Sequence, residues 1–461
     1  MADTLLSVGL DVGTTTTQLI LSRLTVENRA SGFAVPEMDI TDRKVLYRSP
    51  VHFTPLLGEN RVDGERIAQI VAREYENAGI RPADVDTGAV IITGETSRKE
   101  NAAAVLEAVS GYAGEFVVTT AGPDLESVLA SKGAGAVEFS RQTELPVLHM
   151  DIGGGTSNLA LIDNGKILRT GCLNVGGRLI KFENGKISYV SPVLEGLTDL
   201  RAGDYPAEVQ VESVAKMLAQ ALEMAAGLRP ATALLQKLQT AESGRPWVPA
   251  EGNCILSFSG GVADCIEHTH LPRAFSDIGP QLGMAIKNSS LCRGQYRLGT
   301  ETIRATVIGA GCHSAQLSGS TVFVRDVALP LKNLPVVTFD RQEQDSMELP
   351  QLIRQRLQTI DEEKAVIAMS GYEKPDYRHL QSLAHRILEG LEQRDVYICL
   401  EADMAKALGQ CLCLAGGKRG YLCIDRVRLA EGSFLDIGKP VGPALPVVVK
   451  TLVLESERMV L

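Results

Sequence analysis

Two stretches of the chain show the same order of apolar, acidic, glycine and hydroxyl residues. Each consists of an apolar run, an aspartate, one to three glycines, threonines or serines, and a second apolar run. The two stretches are residues 5–21 and residues 147–162. An apolar run that breaks at glycine and then resumes is typical of two antiparallel strands joined by a tight turn. The pattern therefore predicts two strand–turn–strand hairpins.

The spacing of apolar residues predicts further elements between and after these hairpins. Apolar positions at helical spacing predict helices at residues 64–78 and 206–227. After residue 290, strands alternate with helices, which is typical of an additional α/β layer. In this part we expect strands at 303–308, 365–369 and 396–400, helices at 377–393 and 402–412, and a strand-rich end at 420–454. We interpret Gly309 and Gly311 as a tight turn after the first of these strands.

The turns of the two hairpins carry residues suited to phosphate and magnesium. Glycine lets backbone N–H groups approach a polyphosphate closely, and threonine hydroxyls add hydrogen-bond donors. The candidate phosphate-binding residues are Gly13, Thr14, Thr15, Thr16, Gly153, Gly154, Gly155 and Thr156. Asp11 and Asp151, which precede the turns, are candidate tethers for a hydrated Mg²⁺ ion. Two such turns facing each other would hold a nucleotide between two lobes, although a glycine–threonine turn also closes hairpins that bind nothing.

A third candidate element lies at residues 255–263, where an apolar strand is expected to run into a helix. Ser259, Gly260 and Gly261 occupy the corner between them. Glycines at such a corner admit a ring or a sugar close to the backbone, and a helix N-terminus favours an anion. Taken alone, this element is equally compatible with an ordinary strand–helix turn.

Composition indicates which classes of binding partner and which cellular compartment suit this chain. The chain has 461 residues, enough for two to four domains, and a formal net charge of −10. A protein with a net negative charge binds nucleic acid or an anionic membrane poorly, because binding to either requires a basic surface. The nine cysteines are scattered and the sequence has no long apolar run. These features favour a protein of the reducing cytoplasm.

The three elements, in this order, resemble the two phosphate motifs and the adenosine motif of the actin-like ATPase superfamily. The resemblance implies an α/β fold with a two-lobed, ribonuclease H-like ATPase core that binds ATP or ADP with Mg²⁺. In that superfamily an acid at the start of a first connecting helix orients the attacking water. Glu126, with Gly135 nine residues later, matches this position, and Asp124 is the competing candidate. Asp11 and Asp151 would complete the catalytic set.

The resemblance also implies a second connecting helix, which we place at residues 277–286. Gly283 and Ala285 would let it cross the first connecting helix closely. One position departs from the chaperones of the superfamily, in which an aspartate follows the second phosphate loop. Here that position is Asn158. Because an amide is neither a base nor a full negative charge, we expect weak ATPase activity and unimpaired nucleotide binding.

The resemblance divides the chain into three regions. Residues 1–146 are expected to form the first actin-like lobe, with the first phosphate loop and the first connecting helix. Residues 147–290 are expected to form the second lobe, with the second phosphate loop and the adenosine motif. Residues 291–461 are expected to form a C-terminal α/β extension.

Residues 303–321, together with 9–17, 93–100 and 446–452, resemble the ethanolamine ammonia-lyase reactivating factors of bacteria. This resemblance extends over essentially the whole chain. It implies a chaperone of ethanolamine catabolism that binds ethanolamine ammonia-lyase and, with ATP and Mg²⁺, promotes exchange of damaged cobalamin for intact adenosylcobalamin. The adenosylcobalamin would belong to the partner enzyme. The resemblance further implies a cytoplasmic location, association with a bacterial microcompartment, and a homo-oligomeric state as one option.

Three other functions remain open at this point. A sugar or small-acid kinase uses the same two-lobed clamp, but it needs a base for a substrate hydroxyl, and the sequence offers no unambiguous one. A filament-forming cytoskeletal protein is the second alternative. The third is a nucleotide-sensing interaction module with little turnover, which Asn158 favours.

Overall fold

The computed structural model describes residues 3–13, 16–30, 38–57, 61–93, 105, 109, 118–120, 123–240, 247–250, 253–313, 316–319, 321–358, 360, 364–429 and 432–451. The strands are β1 (Asp3–Val12), β2 (Thr16–Asn28), β3 (Met38–Arg48), β4 (His52–Phe53), β5 (Thr87–Ile92), β6 (Val118–Thr120), β7 (Val147–Ile152), β8 (Ser157–Asp163), β9 (Lys166–Leu173), β10 (Ile180–Glu183), β11 (Lys186–Val190), β12 (Ile255–Ser259), β13 (Tyr296–Leu298), β14 (Gln316–Leu317), β15 (Phe323–Arg325), β16 (Leu331–Phe339), β17 (Val366–Met369), β18 (Val396–Leu400), β19 (Tyr421–Ile424), β20 (Ser433–Ile437) and β21 (Pro446–Thr451). The helices are α1 (Gly64–Ala78), α2 (Pro123–Gly133), α3 (Ala136–Ser140), α4 (Glu208–Ala225), α5 (Ala233–Leu238), α6 (Gly261–Glu267), α7 (Gly279–Lys287), α8 (Ala305–His313), α9 (Arg341–Asp345), α10 (Leu349–Gln358), α11 (Tyr377–Leu391) and α12 (Ala405–Gly416).

The first sheet has the strand order β3-β2-β1-β5-β6. The hairpin β1–β2 and its neighbour β3 are antiparallel, whereas β5 and β6 run parallel to β1. Helix α1 begins where the Asp63 side chain accepts a hydrogen bond from the Arg66 N–H, and it ends at Gly79 in the left-handed conformation. Its apolar face packs against this sheet through Ile67 and Val71. We call this sheet and α1 lobe I.

The second sheet repeats the first strand for strand. Its order is β13-β12-β7-β8-β9, with β7–β8 and β8–β9 antiparallel and with β12 and β13 parallel to β7. We call this sheet, together with α4, α5, α6 and α7, lobe II. Two sheets with the same order and the same strand directions are a duplicated ribonuclease H-like unit. The predicted two-lobed, actin-like α/β core is therefore confirmed.

Two helices cross between the lobes, and one of them was wrongly placed from the sequence. Helix α2 packs on β8 and β9 of lobe II, while α8 packs on β1, β2 and β5 of lobe I, and the two helices contact each other. Their approach depends on glycine, since a Cβ at Gly309 would lie 2.0 Å from the Leu129 carbonyl oxygen and one at Gly133 would lie 1.8 Å from the Ala305 oxygen. The predicted crossing helix at 277–286 is α7, which packs on α6 and α4 within lobe II, with Gly283 against Cys265.

The strand predicted at residues 303–308 is also wrong, because Ala305–His313 is helical. Residues 309–311 therefore lie inside a helix and do not form a turn. The physical reason is tertiary packing. The small residues of this run allow α8 to approach α2 and β1, and a Cβ at Gly311 would lie 2.9 Å from the Gly9 nitrogen. This packing overrides the local preference of the branched apolar residues for a strand.

The C-terminal region adds a third sheet of order β14-β21-β20-β16-β17-β18-β19-β15. Strands β16, β17, β18 and β19 are parallel neighbours, connected by α10, α11 and α12. The expected additional α/β layer is therefore present. Val448 of β21 packs with Leu5, Leu24 and Ala310, so this sheet is docked on the back of lobe I and on α8. The boundaries at 146 and 290 stay predictions, although α8, which follows residue 290, packs against lobe I.

Across the part of the chain that the structure describes, no helix combines the length and the apolarity that a membrane crossing requires.

Candidate functional site

A cleft of about 690 Å³ lies between lobe I and lobe II and collects most of the predicted site residues. The hairpin turns of both lobes, the corner between β12 and α6, and the first half of α2 all line it. The predicted residues in its lining are Asp11, Gly13, Thr16, Glu126, Asp151, Gly153, Gly154, Gly155, Thr156, Gly260 and Gly261. Thr14 and Thr15 lie outside the described residues. The two turns, which are far apart in the sequence, thus face one space.

The two hairpins are closed by equivalent backbone hydrogen bonds. The Gly13 N–H donates to the Thr16 carbonyl oxygen at 2.9 Å, and the Gly153 N–H donates to the Thr156 carbonyl oxygen at 2.9 Å. A Cβ added to Gly155 would meet nothing within 4 Å, so the backbone there is open to the cleft. Tight turns with exposed backbone amides are suited to bind anions such as phosphate.

Gly260 shows why glycine is needed at the third element. Its φ of 86° lies in the left-handed region, and a Cβ would lie 2.3 Å from the Ile152 carbonyl oxygen. The strand–helix corner therefore passes directly against the end of β7, next to the turn of the second hairpin. Ser259, which was also predicted to bind nucleotide, is fully buried and does not line the cleft.

Ser259 instead holds the Asp151 side chain in place by a hydrogen bond. In the register of β7 and β12 it is the partner of Asp151, and its hydroxyl donates to the Asp151 carboxylate. The same hydroxyl lies 2.9 Å from Nε2 of the fully buried His149, whose Nδ1 is 3.1 Å from the Ser257 hydroxyl. Burial lowers the pKa of His149 to about 3, and the nearby charge of Arg297 lowers it further. The imidazole is therefore neutral and acts as a hydrogen-bonded spacer.

Asp11 and Asp151 approach the cleft from opposite lobes. The Thr93 hydroxyl donates to Asp11 at 2.8 Å, and the Thr306 hydroxyl donates to Asp151 at 3.4 Å. Burial raises the pKa of Asp11 to about 7, against the hydrogen bond from Thr93 and with a further increase from the charge of Asp151. Burial raises the pKa of Asp151 to about 6, against its hydrogen bonds from Ser259 and Thr306. A nearby cation would favour the ionised form of both carboxylates.

Of the two acids proposed to orient water, Glu126 is the one in the cleft. Its side chain is 6% exposed, and its Oε2 accepts a hydrogen bond from the Asn158 amide at 2.9 Å. Asp124 is exposed, accepts a hydrogen bond from Thr170 at 2.5 Å, and does not line the cleft. The geometry therefore favours Glu126 over Asp124.

Sequence reasoning missed Gln18 and Arg178, two of the residues that the structure places in the lining. Arg178 bonds to Asp277 at 3.2 Å, and its guanidinium lies 5.8 Å from the Phe53 ring of lobe I, so it bridges the mouth of the cleft. No motif marked Arg178. Gln18 follows Asp11 by the same seven residues that separate Asn158 from Asp151, and this offset was a signal that could have been found.

The residues of the cleft fit a hydrated Mg²⁺ ion. They offer two carboxylates, Asp11 and Asp151, and two buried amide oxygens, Gln18 Oε1 and Asn158 Oδ1. Neither amide oxygen has a hydrogen-bond partner among the described residues. Magnesium prefers oxygen ligands and keeps several waters, which would donate to such acceptors.

The family profile and the curated sequence relatives agree on one family. The profile of the family described as "Ethanolamine utilisation protein EutA" matches residues 3–455. Two curated proteins named ethanolamine ammonia-lyase reactivase EutA, from Salmonella typhimurium and Escherichia coli (strain K12), are 37% and 36% identical over 98% of this chain and 99% of their own length. Among solved structures, the Aquifex aeolicus PPX-GPPA enzyme aligns at 13% identity and a TM-score of 0.42, over 67% of this chain and 99% of that chain. On the full-length matches, the chain belongs to the ethanolamine utilisation protein EutA family.

Proposed function

We propose that this chain is a nucleotide-dependent reactivase of ethanolamine ammonia-lyase. The observation that carries the proposal is the match to two curated reactivases over 98% of this chain. A match of this extent includes the C-terminal sheet as well as the two lobes. It therefore favours a shared function over a shared nucleotide-binding core alone.

The proposed nucleotide site is the cleft between the lobes, with ATP or ADP as ligand. The turns at Gly13 and Gly153 would bind phosphates through backbone N–H groups, and the Arg178 guanidinium would add positive charge. Asp11 and Asp151 would hold a hydrated Mg²⁺, which would supply charge neutralisation for the phosphates. Glu126, fixed by Asn158, would orient a water molecule.

Nucleotide binding across the two lobes gives this chain a means to change the conformation of a bound partner protein. A ligand that contacts both lobes binds the closed form better than the open form, and it shifts their equilibrium only by that difference in affinity. We propose that this closure is transmitted to bound ethanolamine ammonia-lyase, so that damaged cobalamin leaves and adenosylcobalamin enters. The adenosylcobalamin would be the cofactor of the lyase and not of this chain. Residence in the cytoplasm and association with a bacterial microcompartment are part of the same proposal.

A second candidate is a nucleotide sensor with little turnover. Asn158 supports it, because an amide at the side of Asp151 cannot accept a proton from water. In that case nucleotide exchange, and not hydrolysis, would drive release of the lyase. The two candidates differ in whether a non-hydrolysable ATP analogue supports repeated reactivation.

Reactivation itself tests the proposal. Inactivated ethanolamine ammonia-lyase is mixed with this protein, ATP, Mg²⁺ and adenosylcobalamin, and recovery of deamination is followed against a mixture without nucleotide. We expect recovery only with nucleotide, and no recovery with Asp11→Ala, which lacks one Mg²⁺ tether. Equal recovery of deamination with and without nucleotide would contradict the function, whereas normal reactivation by Asp11→Ala would contradict the site.

A further inference from the structure

Each lobe carries a buried amide at the equivalent position of its hairpin. Gln18 is the cross-strand partner of Asp11 in β1–β2, and Asn158 is the partner of Asp151 in β7–β8. The side chains are 4% and 5% exposed, and both line the cleft. The two lobes therefore present matching acid–amide pairs to one space.

The nitrogen of each amide is held by a segment that crosses between the lobes. Asn158 Nδ2 donates to Glu126 of α2 at 2.9 Å, and Gln18 Nε2 donates to the carbonyl oxygen of Ile303, two residues before α8, at 3.2 Å. The arrangement is reciprocal, because α2 packs on lobe II and α8 packs on lobe I. Each amide thus joins its lobe to the crossing helix that packs on that lobe.

These contacts determine which way each amide faces. A carbonyl oxygen and a carboxylate accept hydrogen bonds but donate none, so the NH₂ groups must point to Ile303 and Glu126. The amide oxygens Gln18 Oε1 and Asn158 Oδ1 then point away from those partners, and neither has a hydrogen-bond partner among the described residues. A buried acceptor without a donor is costly, so both oxygens would gain from a donor that enters the cleft.

We propose that Gln18 and Asn158 are a matched pair of positioning residues that couple occupancy of the cleft to the crossing segments. Their oxygens accept hydrogen bonds from the water around metal-bound phosphate, and their nitrogens hold Ile303 and Glu126 in place. One planar amide makes both contacts, so a ligand that orders its oxygen also orders its nitrogen. This inference rests on the proposed nucleotide function. It assigns Gln18, which no motif marked, the same role in lobe I that Asn158 has in lobe II.

Calorimetry of ADP and ATP binding, with and without Mg²⁺, tests the oxygen contact. Gln18→Leu keeps the approximate volume but removes the acceptor, and we expect affinity to fall roughly tenfold with Mg²⁺ and much less without it. The control is Gln344→Leu, which removes another fully buried amide, in α9 of the C-terminal region and outside the cleft. The control should bind nucleotide like the wild type. Wild-type Mg²⁺-dependent affinity in Gln18→Leu would overturn the inference.

Hydrogen exchange of α8 tests the nitrogen contact. Gln18→Glu keeps an acceptor oxygen but replaces the NH₂ donor, so its carboxylate repels the Ile303 carbonyl. We expect Mg²⁺–ADP to slow amide exchange in α8 of the wild type, and we expect Gln18→Glu to bind Mg²⁺–ADP without this slowing. Wild-type protection in Gln18→Glu would overturn the coupling. A wild-type protein that binds no nucleotide would instead contradict the proposed function, so the two failures are distinguishable.

Discussion

The crossing of α2 and α8 predicts that a single added methyl group will disturb the contact between these two helices, which join the lobes. In Gly309→Ala the added Cβ would lie 2.0 Å from the Leu129 carbonyl oxygen and 2.5 Å from its carbonyl carbon. An ordinary contact needs more than about 3.4 Å, so the helices must separate by more than an ångström. The contact is backbone against backbone, and no side chain can rotate to relieve it.

The magnitude follows from two opposing effects. Overpacking of a close contact typically costs about 1–3 kcal/mol, whereas replacing glycine by alanine inside a helix gains about 1 kcal/mol. At 2.0 Å from a carbonyl oxygen we expect the upper end of the cost for Gly309→Ala, and thus a net loss of about 2 kcal/mol of unfolding free energy. Because the two helices join the lobes, we also expect weaker stabilisation of the protein by Mg²⁺–ADP.

Thermal unfolding with and without Mg²⁺–ADP measures both effects. Two variants serve as controls. Gly294→Ala adds a methyl group where nothing lies within 4 Å, and its stability should change by less than about 0.5 kcal/mol. Gly283→Ala places a Cβ 2.4 Å from the Cys265 Cβ, within lobe II, and should lose stability while keeping the full nucleotide-dependent increase.

Two results would refute this reasoning. If Gly309→Ala is as stable as Gly294→Ala, then α2 and α8 do not cross at this distance. If Gly283→Ala loses the nucleotide-dependent increase and Gly309→Ala keeps it, then α7 is the second connecting helix, as the sequence suggested.

Two further predictions concern the acids of the cleft. Because burial raises the pKa of Asp11 to about 7, the folded state holds this proton more tightly than the unfolded chain, whose Asp pKa is 3.8. Without divalent cations, the contribution of Asp11 to stability should therefore fall as pH rises from about 4 to about 7, by up to about 1.4 kcal/mol per unit, and Asp151, whose pKa burial raises to about 6, should add a fall of the same sign. Urea unfolding in EDTA should show this decrease of unfolding free energy with pH for the wild type and a smaller decrease for Asp11→Asn. Equal decreases in the two proteins would assign the pH dependence to another group. Glu126→Gln should bind ATP normally and lose hydrolysis, and Asp124→Asn, which changes an exposed acid, should keep both; loss of hydrolysis in Asp124→Asn alone would reverse the assignment.

Local sequence was sufficient wherever an element is specified by its own residues. The helix at Gly64–Ala78 was predicted with its observed limits, because Ile67 and Val71 mark one face and Gly79 marks the end. The two hairpins were predicted for a similar reason, since an apolar run that breaks at an aspartate, a glycine and a threonine and then resumes is typical of two strands joined by a tight turn. That their turns bind phosphate stays a prediction.

Packing between residues far apart in the sequence determines which helices and strands come into contact, and the sequence pattern did not predict this. The small residue Gly283 indicated a close helix contact but not with which helix, and Gly309 was interpreted as part of a turn. The structure pairs Gly283 with Cys265 inside one lobe and Gly309 with Leu129 across the two lobes. The position of Ser259 likewise depends on long-range packing, since the register of β7 and β12 turns its hydroxyl toward Asp151 and away from the cleft.

The spacing between acid and amide shows how local sequence and long-range packing combine. Seven residues separate Asp11 from Gln18 and Asp151 from Asn158. In a helix, or in a hairpin with a longer turn, this equality would have no consequence. It acquires one because both hairpins close with the same hydrogen bond, Gly13 to Thr16 and Gly153 to Thr156, which sets each amide opposite its acid. Because the fold is duplicated, the repeated spacing places one acid–amide pair on each wall of the same cleft, and under the proposed function lobe I would respond to a ligand as lobe II does.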